Sequence, residues 1–107
     1  MNTNKFYILV ADWCPYCRAA KPAIFDLVEK YYSNNNIVLI EDTSDEYKSI
    51  SAKLEADMIP AFIIADEDGN KVNAYEGNDR SFEALLGFYA ENTGTKVLEE
   101  DQPIYSK

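Results

Sequence analysis

The chain has 107 residues, which fits one domain with a modest core. Its formal net charge of −9, with 10 bases, 19 acids and no histidine, argues against nucleic acid or an anionic membrane as partner. Hydrophobic residues make up 47% of the chain, and no run is long enough to cross a bilayer.

Residues 5–11 carry an apolar run and predict a strand covered on both faces. A single Lys5 precedes that run, which is too short for an export signal and lacks a cleavage site. A cytoplasmic location is therefore expected. From Pro15 to about Ser33, Ala20, Ile24, Leu27, Val28 and Tyr31 recur at helical spacing, with Pro22 bending the helix. A turn at 33–36 leads to a second apolar strand, 37–40, which suggests a parallel crossover unit.

Thr43 or Ser44 is expected to cap a second helix with Tyr47, Ile50 and Leu54 facing inward. A third apolar run, 58–65, contains Pro60; a turn at 66–70 then opens a weaker strand over 71–76. Gly77, Asn78 and Asp79 are expected to cap a last helix bearing Phe82, Leu85, Leu86 and Tyr89, closed by Thr93 and Gly94. Residues 1–94 thus form the domain. Residues 95–107 show no periodicity and are expected to be a mobile acidic tail. Charge is uneven, with +1 over residues 1–40 and −10 over the rest, as a solvated acidic surface or as selection for a basic partner.

The chemistry lies in Trp13-Cys14-Pro15-Tyr16-Cys17, which holds both cysteines of the chain. Structural zinc needs four sulfur or imidazole ligands, and two cysteines without histidine do not supply them. A structural disulfide across so short a loop removes little chain entropy. A strand running into Cys-x-x-Cys at a helix start instead suits a redox dithiol. The first helical N–H groups lack partners and favour a thiolate, the form that attacks disulfides. Pro15 fits the first helical turn, where its missing N–H is no loss.

This order of elements resembles the thioredoxin fold over about residues 5–93. Trp13-Cys14 and Cys17 resemble the thioredoxin active site. Pro22 stands where thioredoxins carry their helix-bending proline, Ile59-Pro60 resembles the family's Ile–cis-Pro, and Gly77 the glycine after the last strand. The resemblance implies an α/β, thioredoxin-like fold: a four-stranded mixed central sheet with three flanking helices. Pro15-Tyr16 is the dipeptide typical of glutaredoxins. However, Ala11 and Asp12 stand where glutaredoxins carry a base, and Ile8 replaces thioredoxin's buried aspartate. Any proton acceptor for Cys17 would then be water or Asp12.

Cys14, at the helix start, is expected to be the accessible attacking thiolate; Cys17, one turn in, is the less accessible resolving thiol. If Cys14 resembles thioredoxin, with a pKa of about 7 against about 8.5, its thiolate fraction at neutral pH rises about fifteen-fold. The accompanying fall in nucleophilicity is roughly five-fold, leaving a net gain of about three-fold. Positioning the partner must supply much of the rest. Pro60, Ile59, Trp13, Pro15 and Tyr16 are the candidate substrate contacts, with the Ile59 backbone pairing with an extended substrate segment. Trp13 is an apolar wall beside the sulfur or a filler of the core edge; Tyr16 a redox tuner or an idle exposed ring.

The resemblance implies a thiol–disulfide oxidoreductase that reduces protein disulfides and binds no metal or organic cofactor. Its expected form is a monomer, reduced by a thioredoxin-reductase-type flavoenzyme or by glutathione. Two other readings stay open: a glutaredoxin acting on glutathione mixed disulfides, and a non-catalytic binding module or iron–sulfur carrier.

Overall fold

The computed structural model describes residues 2–102. The sheet consists of β1 (Lys5–Val10), β2 (Ile37–Glu41), β3 (Ala61–Ala65) and β4 (Lys71–Ala74), and the helices are α1 (Pro15–Lys30), α2 (Tyr47–Lys53) and α3 (Phe82–Thr93). The strand order is β2-β1-β3-β4, with β1 parallel to β2 and antiparallel to β3, and β4 antiparallel to β3. This is the mixed four-stranded sheet the resemblance implies. Among the described residues no helix is long and apolar enough to cross a membrane.

Alternation along the central strands sorts the core into two layers. Phe6, Ile8 and Val10 of β1 and Phe62 and Ile64 of β3 meet Cys17, Ala20, Ile24 and Leu27 of α1 and Leu85, Leu86 and Tyr89 of α3. On the opposite face Leu9, Ala61, Ile63 and Ala65 meet Leu54, with Tyr47 and Ile50 of α2 half-buried beside them. This second layer is thin. No side chain caps α2, so its hold on the sheet rests largely on Leu54, which is fully buried. Truncation of Leu54 to Ala should cost about 2–5 kcal/mol.

Several expectations need correction. Of the apolar run in β2 only Ile40 is buried, because β2 lies at the sheet edge with β1 on one side alone. α1 stops at Lys30 and a 3-10 turn follows at Tyr32–Asn34. Pro22 is accommodated within α1 at an exposed position. α2 begins at Tyr47 after a turn, with Glu46 rather than Thr43 or Ser44 preceding it.

The cap of α3 is Ser81, whose hydroxyl accepts the Ala84 N–H at 3.2 Å, and not the 77–79 segment. Asp79 serves one step earlier: its carboxylate accepts the Ser81 N–H at 3.0 Å and its carbonyl accepts the Tyr75 hydroxyl. At Gly77 an added Cβ would lie 2.7 Å from that hydroxyl. Gly94 ends α3 as expected, in the left-handed region at φ 72°.

The supposed tail is docked through residue 102. A 3-10 turn at Glu99–Asp101 places Asp101 against the end of α1. There the carboxylate takes the Lys30 ammonium at 2.7 Å and the Tyr31 hydroxyl at 2.9 Å, while Tyr31 also accepts the Leu98 N–H at 3.1 Å. Long-range polar partners, rather than periodicity, hold this segment. Residues 103–107 lie outside the described residues.

Candidate active site

Register explains how the site assembles. Leu9 of β1 lies opposite Ala61 of β3, so the peptide just before β3 comes to rest beside the end of β1 and the Cys14 turn. That peptide is Ile59–Pro60, and it is cis. The Cys14 thiol donates to the Ile59 carbonyl at 3.7 Å, an ordinary length for sulfur as donor. Pro60 is buried and Ile59 half-buried, and Met58 beside them is 67% exposed. A groove of about 300 Å³ continues from Met58 and Pro60 along β3 and β4, past Phe62, Ala74 and Tyr75.

Cys14 stands immediately before α1 in extended conformation, and Pro15 takes the first helical position, exposed. The two cysteines are free thiols. Both are covered: Cys14 is 4% exposed and Cys17 1%. The expected order of accessibility holds, but an open Cys14 does not, because the Ile59 segment closes over it. The two thiols differ in their ionisation. Burial pushes Cys14 up, but hydrogen bonding from Cys17, backbone N–H groups of Cys17 and Tyr16, and the Arg18 charge together bring it below its ordinary value of 9.0. The sulfur faces the Ile59 carbonyl and makes no side-chain cap of the helix. Burial pushes Cys17 up to about 11, with the neighbouring Cys14 adding to the rise, while the Ala11 backbone and Arg80 oppose it.

Around the sulfurs stands an exposed aromatic rim. Trp13 is 67% exposed, so it is no filler of the core edge. Its indole N–H donates to Asp42 Oδ2 at 2.8 Å, fixing the ring as a wall at the mouth of the site. Tyr16 is equally exposed and carries the Arg80 guanidinium 5.7 Å above its ring. Asp12 is not the expected partner of Cys17: its carboxylate is 76% exposed and tied to Lys21 at 2.9 Å. Arg18 reaches back to the Asp12 carbonyl at 2.8 Å. Ile8, at the position of the absent aspartate, is fully buried in the core. Tyr47 approaches from α2; burial first, then Asp42 and the two cysteines, raise its phenol.

Sequence reasoning missed Asp42, Arg18, Tyr47 and Arg80. Arg80 left one trace, as the sole base between Lys71 and Lys96.

Comparison with known proteins agrees with this geometry. The family model described as thioredoxin matches residues 4–91. Thioredoxin of Oryctolagus cuniculus is 36% identical over 77 residues, spanning 71% of this chain and 70% of that protein. Thioredoxin-like protein 1 of Schizosaccharomyces pombe is 29% identical over 98 residues, 88% of this chain but 33% of that longer protein. Among solved structures, mitochondrial thioredoxin 3 from Saccharomyces cerevisiae in its oxidised form superposes with a TM-score of 0.59 at 21% identity. It covers 85% of this chain and 80% of that one. The chain belongs to the thioredoxin family, and its Cys14–Cys17 pair makes it a thiol–disulfide oxidoreductase.

Proposed function

We propose that this protein reduces disulfides in other proteins, with Cys14 attacking and Cys17 resolving. The observation that carries the reading is a pair of free thiols one turn apart at the start of α1, with Cys14 against the cis Ile59–Pro60 peptide; their pKa values move apart in keeping with it, Cys14 downward and Cys17 up to about 11. The Cys14 thiolate attacks one substrate sulfur. The substrate S–S bond breaks, and the departing sulfur takes up a proton. Cys17 then loses its proton and attacks Cys14 Sγ. The mixed disulfide breaks, a second substrate thiolate leaves, and the protein holds a Cys14–Cys17 disulfide. Two electrons have passed to the substrate.

Trp13, Tyr16 and Met58 offer the exposed apolar surface for the partner, and Pro15 exposes its ring beside Cys14. The Ile59 backbone N–H, which has no hydrogen-bond partner among the described residues, supports strand-like pairing with an extended substrate. Pro60 fills the wall beneath the sulfur without an N–H that could compete for it. A thioredoxin-reductase-type flavoenzyme is the reductant that fits best. Glutathione, as an anion, would approach exposed Asp12 with Arg18 already engaged on the Asp12 carbonyl. A monomer in a reducing, cytoplasmic setting that binds no cofactor completes the reading.

The test is insulin reduction by the reduced protein. Cys14→Ser should abolish turnover, and Cys17→Ser should stall as a mixed disulfide. Unchanged reduction by Cys14→Ser overturns the reading. Full activity of Cys17→Ser on glutathione mixed disulfides would identify a glutaredoxin instead.

A further inference from the structure

The excess acid of this chain has one place where it meets an apolar channel. The groove of about 300 Å³ beyond Pro60 is lined by Glu55, Asp57 and Met58 from the segment between α2 and β3. From β4 and its continuation come Lys71 and Glu76, and Phe62, Ala74 and Tyr75 give an apolar bed. Glu55 lies in the left-handed region at φ 56° and turns the chain from the end of α2 toward β3.

Register orders the charges along this channel. The Tyr75 N–H donates to the Phe62 carbonyl at 2.9 Å, so Glu76 comes level with the start of β3, next to Pro60. Asp57 stands two residues before Ile59, whose carbonyl meets the Cys14 thiol. Lys71, by contrast, pairs with Ala65 at the far end of β3. The carboxylates thus stand nearest the reactive thiol and the single base furthest from it. All three acids are exposed, and none has an ion-pair partner among the described residues. Lys53, the base nearest Glu55 in the chain, is spent on the Asp68 carbonyl at 2.8 Å. Among the described residues no acidic cluster converges as a metal site requires, so the spacing suits a row of cations rather than one ion.

We infer that this groove selects protein substrates in which lysine or arginine flanks one side of the attacked cysteine, in an extended segment. With the substrate sulfur on Cys14, the flanking chain passes the free Ile59 N–H and enters the groove. Alternate side chains then face the apolar bed or the carboxylates. The bed and the pliant Met58 accept varied apolar partners, whereas the carboxylates discriminate by charge. The inference rests on the proposed reduction of protein disulfides and names the class of segment reduced.

The probes are extended peptides, each with one cysteine joined through a disulfide to an aromatic thiol whose thiolate is coloured. Lysines, glutamines or glutamates are placed before or after that cysteine. The Cys14 thiolate attacks the peptide sulfur, a Cys14–peptide disulfide forms, and the aromatic thiolate leaves with the electron pair. Each release rate is divided by the rate with a small neutral dithiol, which removes the peptide's own reactivity. Lysine peptides should outrun glutamate peptides about five- to twenty-fold at low salt, and about two-fold or less at 1 M salt. Lysines on one side of the cysteine should carry most of the gain. Glu55→Gln/Asp57→Asn/Glu76→Gln should cut the lysine-to-glutamate ratio at least about three-fold. Asp26→Asn/Glu29→Gln/Glu91→Gln removes as much charge from exposed positions elsewhere and should keep most of it. Absence of preference in the wild type overturns the inference, as does equal gain from either side or an equal fall in both variants. Failure of the wild type to release thiolate from any peptide would instead overturn the reductase reading.

Discussion

The two ends of α1 are finished in opposite ways. At its start no side chain caps the helix, no acid occupies the first turn, and proline opens it. At its end Lys30 and Tyr31 are gripped by Asp101, with Leu98 adding a backbone donor to the same phenol. Capping the start with a carboxylate or hydroxyl would satisfy the free N–H groups that favour the Cys14 thiolate. The end has no such duty, so its polar groups are satisfied. One helix thus divides reactivity and anchorage between its termini, and each can be disturbed without the other.

The largest contrast should appear in alkylation of the reduced protein. At pH 7 the thiolate fraction of Cys14 exceeds that of Cys17 by at least about a hundred-fold, and the accompanying fall in intrinsic nucleophilicity offsets only about half of that gain on a logarithmic scale. Iodoacetamide followed by mass spectrometry should therefore label Cys14 at least about ten times faster, with Cys17 reacting freely only as pH approaches 11. Equal labelling would erase the distinction between the thiols.

Next in size is the far end. Asp101→Ala should lower stability by about 1–2 kcal/mol, since the Tyr31 bond is lost from a nearly covered carboxylate while the half-exposed Lys30 pair adds little. Melting should fall by roughly 5–10 °C with activity per folded molecule unchanged. An equal loss of activity would show that the two ends are not separable.

Acid should reproduce that loss. Burial raises the Asp101 carboxyl, but Lys30 and Tyr31 outweigh it and hold it below its ordinary value of 3.8. A depressed carboxylate contributes in full above that value and loses its contribution as pH falls through the folded one. The gap in melting temperature between wild type and Asp101→Ala should stay constant from pH 5 to 7 and shrink below about 4. A gap that widens in acid would reverse the assignment.

The smallest effect belongs to the rim. Asp42→Ala frees the Trp13 indole without touching either sulfur, so kcat/KM for a protein disulfide should drop about two- to five-fold. The alkylation rate of Cys14 should hold. A changed alkylation rate would place Asp42 in the thiol chemistry rather than in presentation of the ring.

The sequence displayed much of this because the strong signals were local. Apolar runs gave the strands, the dithiol at the strand–helix junction gave the reactive turn, and Pro60 marked the segment that register brings beside Cys14. What stayed hidden depends on partners distant in the chain. Asp101 meets Tyr31 across 70 residues and through a three-residue turn that has no period to detect. The cover over Cys14 comes from Ile59, 45 residues away. Asp79 looked like a helix cap because its type suits one, but the Tyr75 bond uses it to shape the loop and leaves the cap to Ser81. Arg80 was a lone charge in an acidic stretch until the fold laid it over Tyr16.

The contact between Cys14 and the Ile59 carbonyl ties two events to one hydrogen. While the thiol keeps that hydrogen, the carbonyl's acceptor capacity is partly taken and the sulfur is a poor nucleophile. Ionisation arms the sulfur and, in the same instant, vacates the main-chain acceptor that a visiting strand would need. A single proton therefore bears on both the nucleophile and the main-chain acceptor beside it.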